Sequence, residues 1–494
     1  MDKAVSEAAT GPVEASPLTE REKNAIIGGV LLSMLLAALD QTIVAPAMPT
    51  IARLLGHAEY LPWIVTGYLL TATATAPLYG KISDVYGRRP TVYAAILIFL
   101  AGSLVSAMAP NMLVLVVGRA IQGAGGGGLF ALTQTVIGDL VPPRERARYA
   151  AWIAGTWAVA SIAGPLLGGS FAEHLHWSLI FWINIPLGLL AMAIIDKPLK
   201  KLPVAAKHHS IDGLGALLLV VATALLLLAL NWGGSAYPWT SREILGLLAC
   251  SAVFSGAFAL RLMRAAEPLI SLEVLGNPIV LAGTLSMFLL QAANVGLAVY
   301  LPVYLQSILG LSASNSGIAM LGLLLGTVAG ATFSGRMIPR FVHYKRIALV
   351  GTIFAIACLG VLGLVAGHAS LMVVEVLTTC IGLGAGTTFP VVTIAVQNAV
   401  DRPHLGVATG VLAFLRSLGS ALGVAMLGAV ALGYGLPLAS EGAQAAGPVA
   451  SATPFVMIFF ATAATLLVSL VTLGLMPEKP LRGHAETEAP ILVE

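Results

Sequence analysis

The chain has 494 residues, of which 58% are hydrophobic and 10% charged, whereas about 25% of the residues in an ordinary soluble domain are charged. This composition excludes a water-soluble globular protein and predicts an all-α integral membrane protein. The formal net charge is only +3, and no block of like charges is present, so we expect no nucleic-acid partner. The three cysteines lie in separate apolar segments, which argues against a disulfide framework.

Fourteen apolar segments are long enough to cross a bilayer, which takes about 20 helical residues. In chain order they span residues 25–49, 60–79, 91–110, 112–138, 149–172, 178–195, 212–231, 243–263, 278–309, 315–335, 347–366, 370–397, 405–432 and 452–475. The first segment is longer than the apolar core of a cleavable signal peptide. We therefore expect it to remain in the membrane.

The loops between these segments differ in charge. When the N terminus is placed in the cytoplasm, most of the 26 Lys and Arg residues fall in cytoplasmic loops and tails. Positive charge is retained on the cytoplasmic side of a membrane. We therefore expect a multi-pass protein of the plasma membrane, the inner membrane of a bacterium, with both termini in the cytoplasm.

Short glycine-containing segments recur at nearly equal separations, which predicts two homologous halves. The matching pairs are 80–82 with 335–337, 123–125 with 382–384, and 164–168 with 419–423. We predict a cytoplasmic tail (1–24), a six-helix bundle (25–196), a cytoplasmic linker with two extra membrane helices (197–277), a second six-helix bundle (278–476) and a cytoplasmic tail (477–494). Two such bundles facing each other are typical of rocking transporters. We expect the inserted pair to pack at the periphery.

Two opposite charges lie at similar depths within predicted spans. Asp40 is about 14 Å from the outer end of the first span, and Arg119 about 11 Å from that of the fourth, at 1.5 Å per helical residue. Ionisable groups within a membrane indicate function by default. An aspartate in this setting can couple proton binding to conformation, but the two residues can equally form a permanent structural ion pair.

Glu375 and Arg416 also lie inside predicted spans. Glu375 is about 9 Å from the outer end of the twelfth span, where it serves either as a substrate or proton site or as an acid that reaches the interface. Arg416 is deeper in the thirteenth span. It binds an anion, stabilises a cytoplasmic gate or pairs with an acid of another helix.

The segment after the second span contains five residues with distinct local roles: Gly80, Asp84, Gly87, Arg88 and Arg89. Its residues 80–90 predict a tight hairpin between helices, with the arginines on the cytoplasmic side. The segment resembles the signature of the major facilitator superfamily, Gly-x-x-x-Asp-x-x-Gly-Arg-Arg/Lys. This resemblance implies the major facilitator fold of two six-helix bundles, here with two inserted helices and fourteen transmembrane helices in all.

Three further segments are similar to motifs of the fourteen-span drug:proton antiporter branch of that superfamily. Residues 39–49 resemble its first-helix motif, although Ala45 replaces the usual asparagine, and residues 118–123 and 164–169 resemble its fourth- and fifth-helix motifs. Residues 301–310 and 416–419 also look like this branch.

The resemblance implies roles for these residues. Asp84 with Arg88 locks the cytoplasmic gate, to which we also assign Gly80, Gly87, Arg89 and Arg416, and Asp40 with Arg119 couples transport to protons. The fifth-helix residues kink their helix and seal a proton leak; without the resemblance, close helix packing explains them as well. These residues are Gly164, Pro165, Gly168 and Gly169.

Several other chemistries are excluded by their context. A Gly-x-Gly-x-x-Gly pattern at 123–128 lies inside an apolar span without a preceding strand, and no phosphate-binding loop is present. Residues 173–176, Glu-His-Leu-His, contain three possible metal ligands but lack a fourth. The tenth and thirteenth spans contain no acid, unlike those of some dication exporters. We expect no organic cofactor and no metal, with the proton as coupling ion.

The leading hypothesis is a proton-coupled antiporter, not an enzyme, that exports hydrophobic or amphipathic drugs and toxic compounds by alternating access. We expect a monomer whose partners are small amphipathic molecules and the bilayer. The alternative is an exporter or flippase of a specific lipid, siderophore or metabolite. The antiporter motif argues against import, and no catalytic set or ring of pore charges supports an enzyme or a channel.

Aromatic and amide side chains on the spans expected to face the central cleft are candidates for the substrate cavity, with Glu375 among them. Aromatic walls suit loose recognition, including cation–π contacts, whereas some amides instead bond neighbouring helices. The remaining candidates are Tyr68, Gln122, Phe130, Trp157, Gln291, Asn294, Tyr300, Tyr304 and Phe389.

Overall fold

A computed structural model describes residues 19–56, 60–201, 212–234, 236–265, 267–436 and 451–481. Most of the predicted tails and the linker segment 202–211 lie outside these ranges. Across the described ranges the chain is helical, and the only strand-like pairing there is an isolated bridge between Gly233 and Tyr237. The predicted all-α class is therefore what the structure shows.

The described residues of the N-terminal half form seven helices. They are α1 (Glu20–Leu55), α2 (Leu61–Tyr86), α3 (Arg88–Ala107), α4 (Met112–Leu140), α5 (Pro143–His174), α6 (Leu179–Trp182) and α7 (Asn184–Leu199). Thr19 begins α1 with a capping box, in which its hydroxyl accepts from the Glu22 amide and satisfies a free helix-end donor. The sixth predicted span is divided into α6 and α7 because Pro186 has no N–H to donate to the carbonyl of Trp182.

Two inserted helices and the C-terminal half follow. They are α8 (Gly213–Trp232), α9 (Arg242–Arg264), α10 (Leu272–Gly276), α11 (Pro278–Ser307), α12 (Ala313–Met337), α13 (Lys345–Val365), α14 (Leu371–Gly386), α15 (Thr388–Ala399), α16 (Leu405–Gly433) and α17 (Thr453–Leu475). The twelfth predicted span is divided into α14 and α15, since Pro390 cannot bond to the carbonyl of Gly386.

Within the described ranges, thirteen segments are long and apolar enough to cross a membrane. They correspond to the predicted spans except the second, whose helix α2 is not among them. Helix α2 has 26 residues, which is ample length, but its threonines Thr66, Thr71, Thr73 and Thr75 lower its hydropathy. The protein is a multi-pass membrane protein with about thirteen apolar helices.

The turn after α2 is tighter than the predicted hairpin over 80–90. Helix α2 continues through Gly80 to Tyr86, and α3 begins at Arg88, so a single residue joins them. That residue, Gly87, has φ of 91°, a left-handed conformation that glycine adopts without a steric penalty. The correction places Asp84 on the last turn of a helix, not in a loop.

The two halves meet along helices from both bundles and from the insertion. Helix α2 packs against α16, and α5 packs against α12. The inserted helix α8 packs against both α2 and α16, while α9 packs mainly against α8. The expectation that the inserted pair is peripheral therefore describes α9 better than α8, because α8 lies against a helix of each half.

Candidate functional site: a buried ion pair, a closed end and a central cavity

A buried ion pair joins α1 to α4. Arg119 donates from Nη1 to Asp40 Oδ2. Both residues are buried, with 0% of the surface of Asp40 and 1% of that of Arg119 exposed. Gln122 completes the arrangement, because its Nε2 donates to Asp40 Oδ1 at 2.7 Å and its Oε1 accepts from Arg119 at 2.8 Å. Both charges are thus neutralised inside the N-terminal bundle, as burial of an ion pair requires.

The remaining donors of Arg119 are also satisfied. Its Nε donates to the carbonyl of Ile64 at 3.1 Å, and its guanidinium lies 4.5 Å from the centre of the Tyr68 ring, with Phe181 at 5.7 Å. A guanidinium over an aromatic face gains a cation–π attraction that is stronger when water is excluded. Tyr68 therefore stabilises the Arg119 charge of the ion pair.

Two residues of this network are missing from the sequence-based candidates. Asn184 donates to Asp40 Oδ1 at 3.1 Å, and both Asn184 and Gln122 donate to the hydroxyl of Ser103, at 2.7 and 2.9 Å. Asn184 is the first residue of α7, and Ser103 lies in the last two turns of α3. A lone polar residue in an apolar span is the only sequence signal for either, and it does not identify the partner.

A second charged cluster closes the molecule at the end marked by Arg88, Arg89 and Arg146, here called the basic end. Asp84 accepts from the backbone amides of Gly406 at 3.1 Å and Val407 at 2.9 Å, across the two halves. These amides form the N-terminus of α16, where unpaired N–H groups and the helix dipole favour a negative charge.

Arg88 holds the Asp84 carboxylate in place. It donates to Asp84 Oδ1 at 2.5 Å, to Ser83 at 2.7 Å and to Asp139 at 2.5 Å. Asp139 is a partner that the sequence motif does not include. Arg89 does not join this cluster, because it donates to Asp196 at 3.0 Å instead.

Close approach of the two halves adds to this contact. A Cβ on Gly80 would collide with the carbonyl of Gly406, so α2 and α16 touch there through their backbones. The hydroxyls of Thr135 and Thr409 are hydrogen-bonded across the halves, and Gln397 donates to the carbonyl of Gln134 at 3.3 Å. The basic end is closed in this conformation.

The fifth-helix glycines bring α5 against α1. Cβ atoms on Gly164 and Gly168 would collide with Thr42 and with the carbonyl of Ile43, whereas one on Gly169 meets nothing within 4 Å. Helix α5 runs unbroken through Pro165. Thr42 and Ile43 follow Asp40 closely along α1, so the ion pair and the α1–α5 contact lie on the same turn of helix.

A cavity of about 500 Å³ lies between the halves. Its described lining is contributed by α1, α2, α4, α5, α8, α11 and α16. Of the predicted cavity residues, Phe130, Trp157 and Gln291 line it, as does the predicted gate residue Arg416. Phe130 and Trp157 are stacked, with ring centres 5.3 Å apart. Helix α8 adds Leu227, Leu230 and Asn231 to the wall.

Other predicted cavity residues lie elsewhere. Tyr68 and Gln122 belong to the buried ion-pair network. Tyr304 is buried in the C-terminal bundle, where its hydroxyl donates to the carbonyl of Ala366 at 2.8 Å, and Tyr300 is buried in the same core. Asn294 and Phe389 are not among the described lining residues. Tyr304 and Gln122 lie away from the cavity because their polar groups find hydrogen-bond partners inside a helix bundle.

Glu375 and Arg416 are not brought together with the Asp40 pair. Glu375 is half-buried on α14, where its carbonyl accepts from Thr379 at 2.7 Å. Within the described part of the chain, no hydrogen bond or ion pair involves the Glu375 carboxylate. Arg416 therefore does not form an ion pair with Glu375. No cluster of possible metal ligands occurs among the described residues.

Comparison with known proteins gives consistent matches. The model of the Major Facilitator Superfamily matches residues 30–424. The chain is 32% identical over 411 residues to the Multidrug transporter protein MdtP of Bacillus subtilis (strain 168), covering 83% of this chain and 76% of that protein. It is also 32% identical over 405 residues to Multidrug resistance protein 3 of the same strain, covering 82% and 79%.

The fold is similar to that of a solved transporter. The structure of the proton:xylose symporter XylE bound to 6-bromo-6-deoxy-D-glucose aligns with a TM-score of 0.64, covering 94% of this chain and 98% of that one. Sequence identity is 15%, so this likeness shows the fold alone.

Proposed function

The chain belongs to the Major Facilitator Superfamily, and we propose that it is a proton-coupled antiporter of the fourteen-span branch that exports amphipathic compounds by alternating access. In this proposal α2 also crosses the membrane, which brings the number of spans from thirteen to fourteen. The basic end faces the cytoplasm. The membrane is the plasma membrane, and the protein acts as a monomer. The names of the two Bacillus relatives, which describe multidrug transport and resistance, support an efflux role.

The observation that carries the proton coupling is the buried contact between Asp40 and Arg119. Protonation of Asp40 would neutralise the carboxylate and leave the Arg119 charge buried without its counter-ion. Removing one partner of a buried pair costs about 3–5 kcal/mol. The bundle avoids this cost by rearranging, so proton binding favours a different conformation.

The surroundings of Asp40 connect it to the cavity. The next residue, Gln41, lines the cavity wall, and Thr42 donates to the carbonyl of Ala160 on α5 at 2.7 Å. A shift of α1 therefore moves the cavity wall and the α1–α5 contact together. This linkage is what exchange requires, because substrate release has to depend on the state of the proton site.

The test is proton flux in inverted membrane vesicles after addition of varied lipophilic compounds. We expect Asp40→Asn to abolish substrate-induced proton movement, since the amide does not titrate. Glu375→Gln makes the same chemical change in the other half, outside the ion-pair network, and we expect it to retain exchange.

Undiminished exchange in Asp40→Asn contradicts the coupling role of this residue, and loss in Glu375→Gln alone transfers that role to Glu375. A wild-type protein that is inert to all lipophilic compounds favours export or flipping of one specific lipid, siderophore or metabolite.

A further inference from the structure

The two membrane arginines differ in how their charges are balanced. Arg119 contacts a carboxylate, an amide, a carbonyl and an aromatic ring. Arg416 lines the central cavity, and its guanidinium has no hydrogen bond or ion pair with any residue in the described ranges. It lies eleven residues into α16, about 16 Å from Leu405 at 1.5 Å per residue. Its position is too deep for contact with the cluster at the basic end.

The rest of the cavity wall does not balance this charge. Among its described lining residues, Arg416 is the only charged one. Asp40 is one residue from the lining residue Gln41, but it is 0% exposed and paired with Arg119. The other polar groups are neutral amides and hydroxyls: Gln41, Thr66, Thr73, Asn231, Gln291, Ser417 and Ser420. The cavity therefore carries one uncompensated positive charge.

A guanidinium in such a setting favours an anion. Its N–H groups form a planar fork that matches two carboxylate oxygens, and charge-assisted bonds of this kind are stronger than neutral ones. The low-dielectric surroundings of a cavity among membrane helices strengthen the attraction further. The same charge repels a lipophilic cation, although the aromatic pair of Phe130 and Trp157 alone would accept one.

We propose that the exported compounds are amphipathic organic anions, whose carboxylate is bound by Arg416 while an apolar body packs against Phe130 and Trp157. This inference rests on the proposed export function and names its substrate class. A cavity of about 500 Å³ falls within the range of small-molecule sites, about 300–1,000 Å³. Gln291 adds a buried side-chain oxygen without a partner, which accepts from a hydroxyl or amide of the same compound.

The test uses three probes that share one aromatic body and differ in charge: 1-pyrenebutyric acid, its methyl ester and the corresponding pyrenebutyl-trimethylammonium. Equilibrium binding to the purified full-length protein is measured by pyrene fluorescence. For the wild type we expect the acid to bind at least tenfold more tightly than either other probe. Equal affinities, or tighter binding of the ammonium compound, overturn the proposal.

Two variants separate charge from geometry. We expect Arg416→Gln to lose the preference for the acid, so that the acid and the ester bind within about twofold. Arg416→Lys retains the charge without the planar fork, and we expect it to prefer the acid over the ammonium compound with about tenfold weaker binding. If Arg416→Gln binds the three probes in the same order of affinity as the wild type, the role of Arg416 is refuted. If that variant does not fold, wild-type affinity for the acid in Arg416→Lys refutes the role instead.

This measurement is independent of transport. Binding needs no proton gradient, so anion selectivity in a protein that shows no proton exchange contradicts the antiport proposal and leaves the anion site intact. Proton exchange that the acid and ammonium probes drive equally supports the antiport proposal and contradicts the anion site.

Discussion

Asp84→Asn is expected to open the basic end of the molecule. Asp84 is the carboxylate that accepts from Gly406 and Val407 at the start of α16, and its other partner, Arg88, belongs to its own half. The asparagine has nearly the same shape but carries no charge. One of its two terminal groups is a donor, which faces a backbone N–H and cannot accept from it.

The expected magnitude follows from those two contacts. A hydrogen bond to a charged group contributes about 1.5–3 kcal/mol, and one such bond is lost while the other becomes neutral. We therefore expect the closed state to be destabilised by at least about 2 kcal/mol. This corresponds to a shift of at least roughly 30-fold towards conformations that are open at the basic end, because about 1.4 kcal/mol changes an equilibrium tenfold.

The assay is electron paramagnetic resonance on spin labels at Tyr86 and Val342, which are exposed at the basic end on opposite halves, in a background without native cysteines. Asp139→Asn is the matched control, since Asp139 also pairs with Arg88 but lies within the same half. Longer label separations are expected in Asp84→Asn and not in Asp139→Asn. Equal distance distributions in the two variants would refute the reasoning that the bonds to α16 hold the halves together.

Two further predictions concern helix packing and the inserted helix. Gly168→Ala is expected to lower stability by about 1–3 kcal/mol, as overpacking does, because its Cβ collides with the carbonyl of Ile43, whereas Gly169→Ala is expected to be neutral; thermal unfolding in detergent compares them, and equal melting temperatures count against the packing argument. Leu230→Trp on α8 is expected to fill part of the cavity and reduce transport of bulky compounds, and Leu245→Trp, at an exposed site of α9, is expected to leave it unchanged; equal effects on uptake into inverted vesicles contradict a cavity role for α8.

The sequence determined the membrane class because apolar segments of helical length leave no other way to satisfy their backbone groups in a bilayer. The superfamily was equally accessible, since its motif places Gly80, Asp84 and Arg88 within one short segment, and the family match agrees with it. Helix boundaries differed where a helix continues beyond its apolar segment, as in α2, or where a proline interrupts the helix, as in α14.

The partners of polar residues were decided by tertiary structure. The predicted depths in the membrane placed Asp40 and Arg119 at a common level, but they did not link Asn184 or Ser103 to this pair, because each of these contacts joins side chains on different helices. Similarly, Tyr304 is an aromatic residue of the kind expected in a cavity wall. Only the structure shows that its hydroxyl donates to the backbone carbonyl of Ala366 inside a bundle.

The charged residues illustrate this division between sequence and tertiary structure. Their scarcity, 10% of the chain, identified a membrane protein, and their distribution among loops predicted its orientation. The sequence does not distinguish a paired arginine from an unpaired one, because hydropathy and spacing describe each helix separately. Packing of α1 against α4 within the N-terminal half pairs Arg119 with Asp40, whereas Arg416 remains on the wall of the cavity, and this difference is the basis of the expected preference for anions.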